Sequence, residues 1–290
     1  MCDKKIGIRA ADKSDCEDVY FWRGDVVSRT MSFNSDIPSY DDHLRWFNYS
    51  LNNTYRKLYI GEIGSSKIGV CRFDHETKTG VVEVSINMNP KFRGRGLSKQ
   101  LLDSSIRFFQ NTGRNDFLAR IKPNNVASLK LFQSLGFQEI SSKEDMVKLV
   151  KCDKKIRFKE VSENDTDILF SLLKQRIHSI SHMRMPTKNE HKAFVQTNPY
   201  RYWAIIIENN NPAGAFYLQN DNSVGLNIVE PSLYLVSQVL AYIQGEFEPR
   251  KEIKSKVPTC FYVNVAFGDD KLREILLEVG ADPIQISYKI

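Results

Sequence analysis

The chain has no apolar run approaching the ~18 residues that a membrane span requires, which argues against a transmembrane helix. Its first residues, Met1-Cys2-Asp3-Lys4-Lys5, lack the apolar core of a secretory signal, so a cytoplasmic location is expected. Cysteine is scarce. The five present (Cys2, Cys16, Cys71, Cys152, Cys260) are never spaced as Cys-x-x-Cys, which argues against a disulfide framework or a thiolate zinc site. His178 and His182 share a helical face but lack the glutamate and third ligand of a metalloenzyme, so no metal is expected. A large excess of one charge is missing too. The net charge of +6 comes from 24 Lys+Arg against 18 Asp+Glu through residue 152, with 17 against 17 thereafter. That is far from the basic stripe of a nucleic-acid binder, and no nucleic-acid partner is expected. It does favour an anionic ligand in the first half. What remains is 290 residues, 41% hydrophobic and 26% charged, enough for two ordinary soluble domains.

An internal repeat divides them. Lys5-Ile6-Gly7-Ile8-Arg9 reappears as Lys155-Ile156-Arg157-Phe158-Lys159, each a short alternating strand. A capping-box pattern, Ser14-Asp15-Cys16-Glu17, follows the first, and Asn164-Asp165-Thr166-Asp167 is its weaker counterpart. Pro38-Ser39-x-x-Asp42-His43-x-x-Trp46 parallels Pro186-Thr187-x-x-Glu190-His191-x-x-Phe194. Tyr55-Arg56, Ile68-Gly69, Val84-x-Ile86-Asn87 and Leu135-Gly136 return in order as Tyr200-Arg201, Ala213-Gly214, Val224-x-Leu226-Asn227 and Val279-Gly280. The boundary falls near Cys152-Asp153-Lys154, giving domains 1–152 and 153–290. The junction lacks a Pro/Gly/Ser-rich linker, so the two copies are expected to pack together. Each copy reads as strand, two helices, three antiparallel strands, helix, strand, helix and a closing strand or strands. In the first, strands are predicted at 57–63, 66–74, 80–89 and 116–122, and helices at 96–111 and 125–135. The fold class is α+β, with a mixed, mostly antiparallel sheet flanked by helices in each copy.

One stretch carries the chemistry. An alternating strand, Val81 to Asn89, stops at Pro90, turns through Gly94 and Gly96 and enters an apolar helix at Leu97. Glycine lets backbone amides approach a ligand, and the first helical turn leaves unpaired N–H donors that favour anions. Arg93, Arg95, Lys91 and Lys99 add positive charge there. A dinucleotide fingerprint would need a third glycine near Lys99, and a Walker loop would need Gly-Lys-Ser/Thr; both are absent.

Arg93-x-x-Gly96-x-Ser98 after a strand ending Asn87-Met88-Asn89-Pro90 resembles the acetyl-CoA motif of the GNAT acetyltransferases, with Ser98 in place of the usual last small residue. A second signature of that family, Asn124-Asn125-Val126-Ala127-Ser128 through Leu135-Gly136-Phe137, stands at the expected distance. The resemblance covers residues 5–152 and implies a tandem GNAT fold using acetyl-CoA as co-substrate. It implies that the amides of Arg95, Gly96, Leu97 and Ser98 hold the pyrophosphate, with Arg93 and Gly94 also among the cofactor-binding residues. The strand edge at Ile86 and Met88 would pair with the pantetheine amides, and Asn125 and Phe132 would meet the cofactor arm. Glu83, three residues before Ile86, resembles the glutamate that relatives use as general base. Phe132 stands where many relatives place an acidic tyrosine, so that proton donor is missing.

The first helices hold Trp22-Arg23-Gly24-Asp25 and His43-x-x-Trp46. These resemble the acceptor-binding pattern of nucleotide-amino-sugar N-acetyltransferases of the pseudaminic-acid type, with Gly24 where asparagine is usual. Trp22, Arg23, His43 and Trp46 are therefore the candidate acceptor residues, although each tryptophan fits a core position equally well. The partner implied is a small-molecule amine, with a homodimer open. A protein or peptide N-acetyltransferase and a non-catalytic acetyl-CoA sensor are the competing readings. In the second copy, Glu230-Pro231-Ser232-Leu233 replaces the glycine turn, and Ser223 or Val224 stands where Glu83 would be. That copy reads as degenerate.

Overall fold

Alternation in Val82-Glu83-Val84-Ser85-Ile86 sends successive side chains to opposite faces of a strand, and the whole architecture follows from what covers each face. The computed structural model describes residues 6–110, 116–178, 184–251 and 258–286. It divides into two units, Met1–Cys152 and Asp153–Ile290. Lys5, at the head of the first repeat, lies outside the described residues.

The first unit runs β1 (Gly7–Ala10), α1 (Cys16–Gly24), α2 (Val26–Met31), α3 (Tyr40–Asn52), β2 (Arg56–Ile63), β3 (Ser66–His75), β4 (Val82–Met88), α4 (Leu97–Gln110), β5 (Phe117–Ile121), α5 (Val126–Gln133), β6 (Gln138–Ser142) and β7 (Val147–Lys151). Its sheet has the order β1-β2-β3-β4-β5-β7-β6, antiparallel except for β4 beside β5. One face buries Tyr59, Cys71, Phe73, Val82, Val84 and Phe117 against Leu101, Leu102 and Ile106 of α4. The opposite face packs Leu58, Ile60 and Val70 against Val19 and Trp22 of α1 and Phe47 of α3. The sheet is thus covered on both sides, and polar residues on the α1 side have to line a cleft or find partners.

The second unit runs β8 (Ile156–Glu160), α6 (Thr166–Lys174), α7 (Lys188–Thr197), β9 (Tyr202–Glu208), β10 (Asn211–Leu218), β11 (Ser223–Ile228), α8 (Leu233–Glu246), β12 (Tyr262–Val263) and α9 (Asp270–Glu278). Its sheet has the order β12-β11-β10-β9-β8, again with a single parallel pair, β11 beside β12. Matched positions share their geometry. A side chain at Gly69 would meet the carbonyl oxygen of Asn87 at 2.7 Å, and one at Gly214 would meet that of Asn227 at 2.5 Å. His43 packs on Tyr20 at 5.2 Å between ring centroids, and His191 on Phe170 at 5.3 Å.

Three expectations need correction. The first capping box is built two residues early, by Asp12 and Asp15, and its counterpart by Ser162 and Asp165, because a single turn of 3-10 helix precedes each α-helix. The first unit inserts a short extra helix, α2, whose start is capped by Asp25. No closing strand follows α9 within the described residues, where 279–286 are irregular.

Candidate active site

β4 and β5 pair only at Val82 with Phe117 and Glu83 with Leu118, although β4 continues to Met88 and β5 to Ile121. Beyond that point the two strands part, and the β5-facing edge of β4 has no strand partner among the described residues. Its amides and carbonyls are available to an extended ligand. A cavity of about 630 Å³ opens at this parting, lined by β4, the glycine turn, α5 and residues of α1, α2 and α3.

The turn at the cavity mouth is set by backbone conformation. Gly94 and Gly96 adopt φ of +71° and +73°, a region that side chains disfavour. Gly96 immediately precedes α4 and has no side chain with which to cap the first-turn N–H groups. Gly94, Gly96, Leu97 and Ser98 line the cavity. Arg95 is exposed, its guanidinium 5.2 Å from the Phe92 ring centre. Arg93 is used differently from a free cation. It forms an ion pair with Asp25 and donates to Ser28 Oγ at 2.7 Å and to the Met88 carbonyl at 3.3 Å. Ser28 Oγ in turn donates to Asn87 Oδ1 at 2.9 Å, so the turn, α2 and β4 are tied together.

Ile86 and Met88 line the cavity from β4, Ser128 and Phe132 from α5, and Asn125 from just ahead of that helix. Asn125 caps α5, its Oδ1 accepting the Ser128 N–H at 3.2 Å. Phe132 is buried against Phe137 and offers no proton.

Glu83 projects from β4 to the α1 side, beside a polar group that only the folded chain assembles. Asp74 is its cross-strand neighbour on β3, and Arg120 on β5 forms an ion pair with it. Arg120 Nη1 also lies 2.8 Å from Glu76 Oε1. Arg72 Nε lies 2.8 Å from Asp74 Oδ2, an ion pair without hydrogen-bond alignment. Burial pushes the Glu83 carboxyl above the usual carboxylate range, with Arg120 and Arg72 pulling the other way. Arg23 reaches the same cavity half-buried. Among the described residues it has no hydrogen bond or ion pair, and burial and the charge of Arg72 lower its pKa.

Of the four acceptor candidates, Arg23 and Trp46 line the cavity and Trp22 and His43 do not. Trp22 is 4% exposed and belongs to the core under α1. His43 is 1% exposed, with Nε2 3.0 Å from the Cys16 carbonyl oxygen, and burial lowers its pKa. Both are packed beneath α1 and α3, away from the cavity lining. Arg72 and Arg120 line the cavity but belong to no motif. Their signal is a charged residue at the alternate positions of otherwise apolar strands, Val70-Cys71-Arg72-Phe73 and Leu118-Ala119-Arg120-Ile121. His182 lies outside the described residues, and among those described no three His, Cys, Asp or Glu side chains cluster to hold a metal ion.

The family model described as an acetyltransferase (GNAT) domain matches residues 5–138. The chain is 30% identical over 139 residues to the putative phosphinothricin acetyltransferase YwnH of Bacillus subtilis, covering 46% of this chain and 83% of that protein. It is 31% identical over 138 residues to the L-amino acid N-acyltransferase MnaT of Escherichia coli, covering 46% of this chain and 79% of that protein. Among solved structures, spermidine N-acetyltransferase from Vibrio cholerae in complex with CoA and spermine aligns at a TM-score of 0.46 and 15% identity, over 52% of this chain and 96% of that chain.

Proposed function

The chain belongs to the GNAT acetyltransferase family, and from that premise we propose that its acceptor is a primary amine whose molecule also carries an anionic group, a nucleotide-linked amino sugar being the first candidate. The reaction class is acetyl-CoA-dependent N-acetylation. The observation that carries the acceptor reading is Arg23, a half-buried cation in the cavity beside Arg72. A guanidinium so placed recovers its desolvation cost on a phosphate or carboxylate. Trp46 offers an aromatic surface in the same cavity for a sugar or base.

The cofactor side fits acetyl-CoA: a positive-φ glycine turn ahead of α4 suits a diphosphate, and the parted edge of β4 suits an amide-bearing arm. Bound acetyl-CoA supplies an acyl carbon activated as a thioester. The amides of Arg95 to Ser98 hold the diphosphate, and Ile86, Met88, Asn125 and Phe132 border the arm. Glu83 accepts the proton that the amine nitrogen sheds as its C–N bond forms, while the electrons of the breaking C–S bond leave on sulfur. A carboxyl raised by burial is better matched to that task than a solvated one. With Phe132 unable to donate, sulfur departs as a thiolate, which a thiol pKa of ~8.5 makes tolerable.

An amino acid is the second reading, favoured by the 31% identity to an L-amino acid N-acyltransferase, since a carboxylate would serve Arg23 as well as a phosphate. Thiol release from acetyl-CoA, measured across UDP- and dTDP-amino sugars, amino acids, polyamines and peptides, separates the readings. Turnover is expected with amines that bear an anion. Preference for polyamines or peptides overturns the acceptor assignment, and binding of acetyl-CoA without thiol release in the presence of any of these amines would favour a sensor over an enzyme.

We propose further that the second unit is a GNAT-like copy that has lost its site. Tyr217 takes the strand position of Arg72, and its ring fills the space above Gly225, stacked on Tyr200 at 4.0 Å.

A further inference from the structure

We propose that Arg120 is the positioning residue for Glu83, fixing one carboxylate oxygen so that the other faces the acceptor, and that Glu76 tempers it by competing for the same guanidinium nitrogen. The inference rests on Glu83 being the proton acceptor. Its geometric basis is the parting of the sheet. Arg120 stands on β5 two residues beyond Leu118, the last position at which β5 pairs with β4. Its side chain therefore crosses the opening between the strands, where no backbone hydrogen bonds remain to set their separation. Nη1 donates to Glu83 Oε2 and lies 2.8 Å from Glu76 Oε1, so one nitrogen serves two carboxylates. Oε1 of Glu83 has no hydrogen bond among the described residues, on a side chain that lines the cavity.

The charged groups facing Glu83 are Arg120 from β5, Arg72 and Asp74 from β3, and Glu76 just past β3. Each has a definite sign. Burial, Glu76 and Asp74 favour the protonated carboxyl, and Arg120 and Arg72 favour the carboxylate. Removing Arg120 therefore makes Glu83 harder to ionise, and removing Glu76 makes it easier. A residue that merely supported the strands would lower the rate or the stability without moving a titration in a chosen direction.

The test is the pH dependence of kcat/KM for acetyl transfer, in R120Q, R120K, E76Q and E83Q. The acidic limb of the profile is expected to move up by about one pH unit or more in R120Q, to return towards the wild-type position in R120K, and to move down in E76Q. E83Q is expected to lack that limb. Loss of the limb in E83Q with no displacement in R120Q or E76Q overturns the role of Arg120 alone. A limb that persists in E83Q overturns the proton-acceptor reading beneath it. If R120Q fails to fold, the downward shift in E76Q decides by itself, since its direction is opposite to that of a damaged site.

Discussion

Arg23 shows how one side chain can carry a substrate prediction. It sits at the C-terminal end of α1, half-buried, with Arg72 as its nearest charged influence. Two like charges share a low-dielectric cavity at a cost, and an anion between them relieves it. Replacing Arg23 by glutamine is expected to raise the KM for the acceptor about tenfold to a hundredfold, the worth of a hydrogen bond to a charged group, while leaving the KM for acetyl-CoA within about twofold. Steady-state kinetics with each substrate varied in turn checks this. Equal increases in both constants would place Arg23 in the support of the fold and remove it from the acceptor site.

At the scale of the element, the start of α1 rests on a buried carboxylate. Asp15 is 0% exposed, accepts the Asp12 N–H at 2.9 Å, and pairs with Arg9 at 2.6 Å and Lys67 at 2.7 Å. Burial opposes its ionisation, but these partners win and hold it at about 2, below the ordinary 3.8. A depressed carboxyl stabilises the fold above its unfolded value and loses that contribution as the pH falls from 3.8 to 2, a difference of about 2 kcal/mol. Asp15→Asn is therefore expected to cost at least about 2 kcal/mol at neutral pH in thermal or denaturant unfolding, with the gap to wild type closing below pH 4. A gap independent of pH would assign the loss to packing. The sequence pattern placed this helix start but missed its cap by two residues, because a 3-10 turn and a longer helix begin with the same residue types. The glycine turn and β4 were legible because their signals are local: a period of two, a proline and two glycines one residue apart. Arg72 and Arg120 were not, because they meet Glu83 only through the pairing of strands distant in sequence. Trp22 and Trp46 look alike in sequence, and only packing sends one to the core and the other to the cavity.

Across the whole molecule, the two units share a strand order around one parallel pair but differ where a ligand would have to bind. Ahead of α4 stands Gly96, unable to cap the helix through a side chain; ahead of α8 stands Ser232, whose Oγ accepts the Leu235 N–H at 3.3 Å. The donor that a diphosphate would need is already in use. Where the first unit has Glu83 in its cavity, the second has Ser223, 1% exposed and hydrogen-bonded to Asp221 at 2.6 Å. The aromatic stack of Tyr217 and Tyr200 occupies the corresponding acceptor side. Isothermal titration of the full chain with CoA is therefore expected to give one site per chain. A substitution in the glycine turn, such as Gly96→Val, should abolish the measured heat, because a side chain is forced into φ of +73° where the amides must be approached. Two sites in the wild type, or one surviving in the variant, would show that the second unit binds the cofactor despite its capped helix, and the degenerate reading of that unit would fail with it.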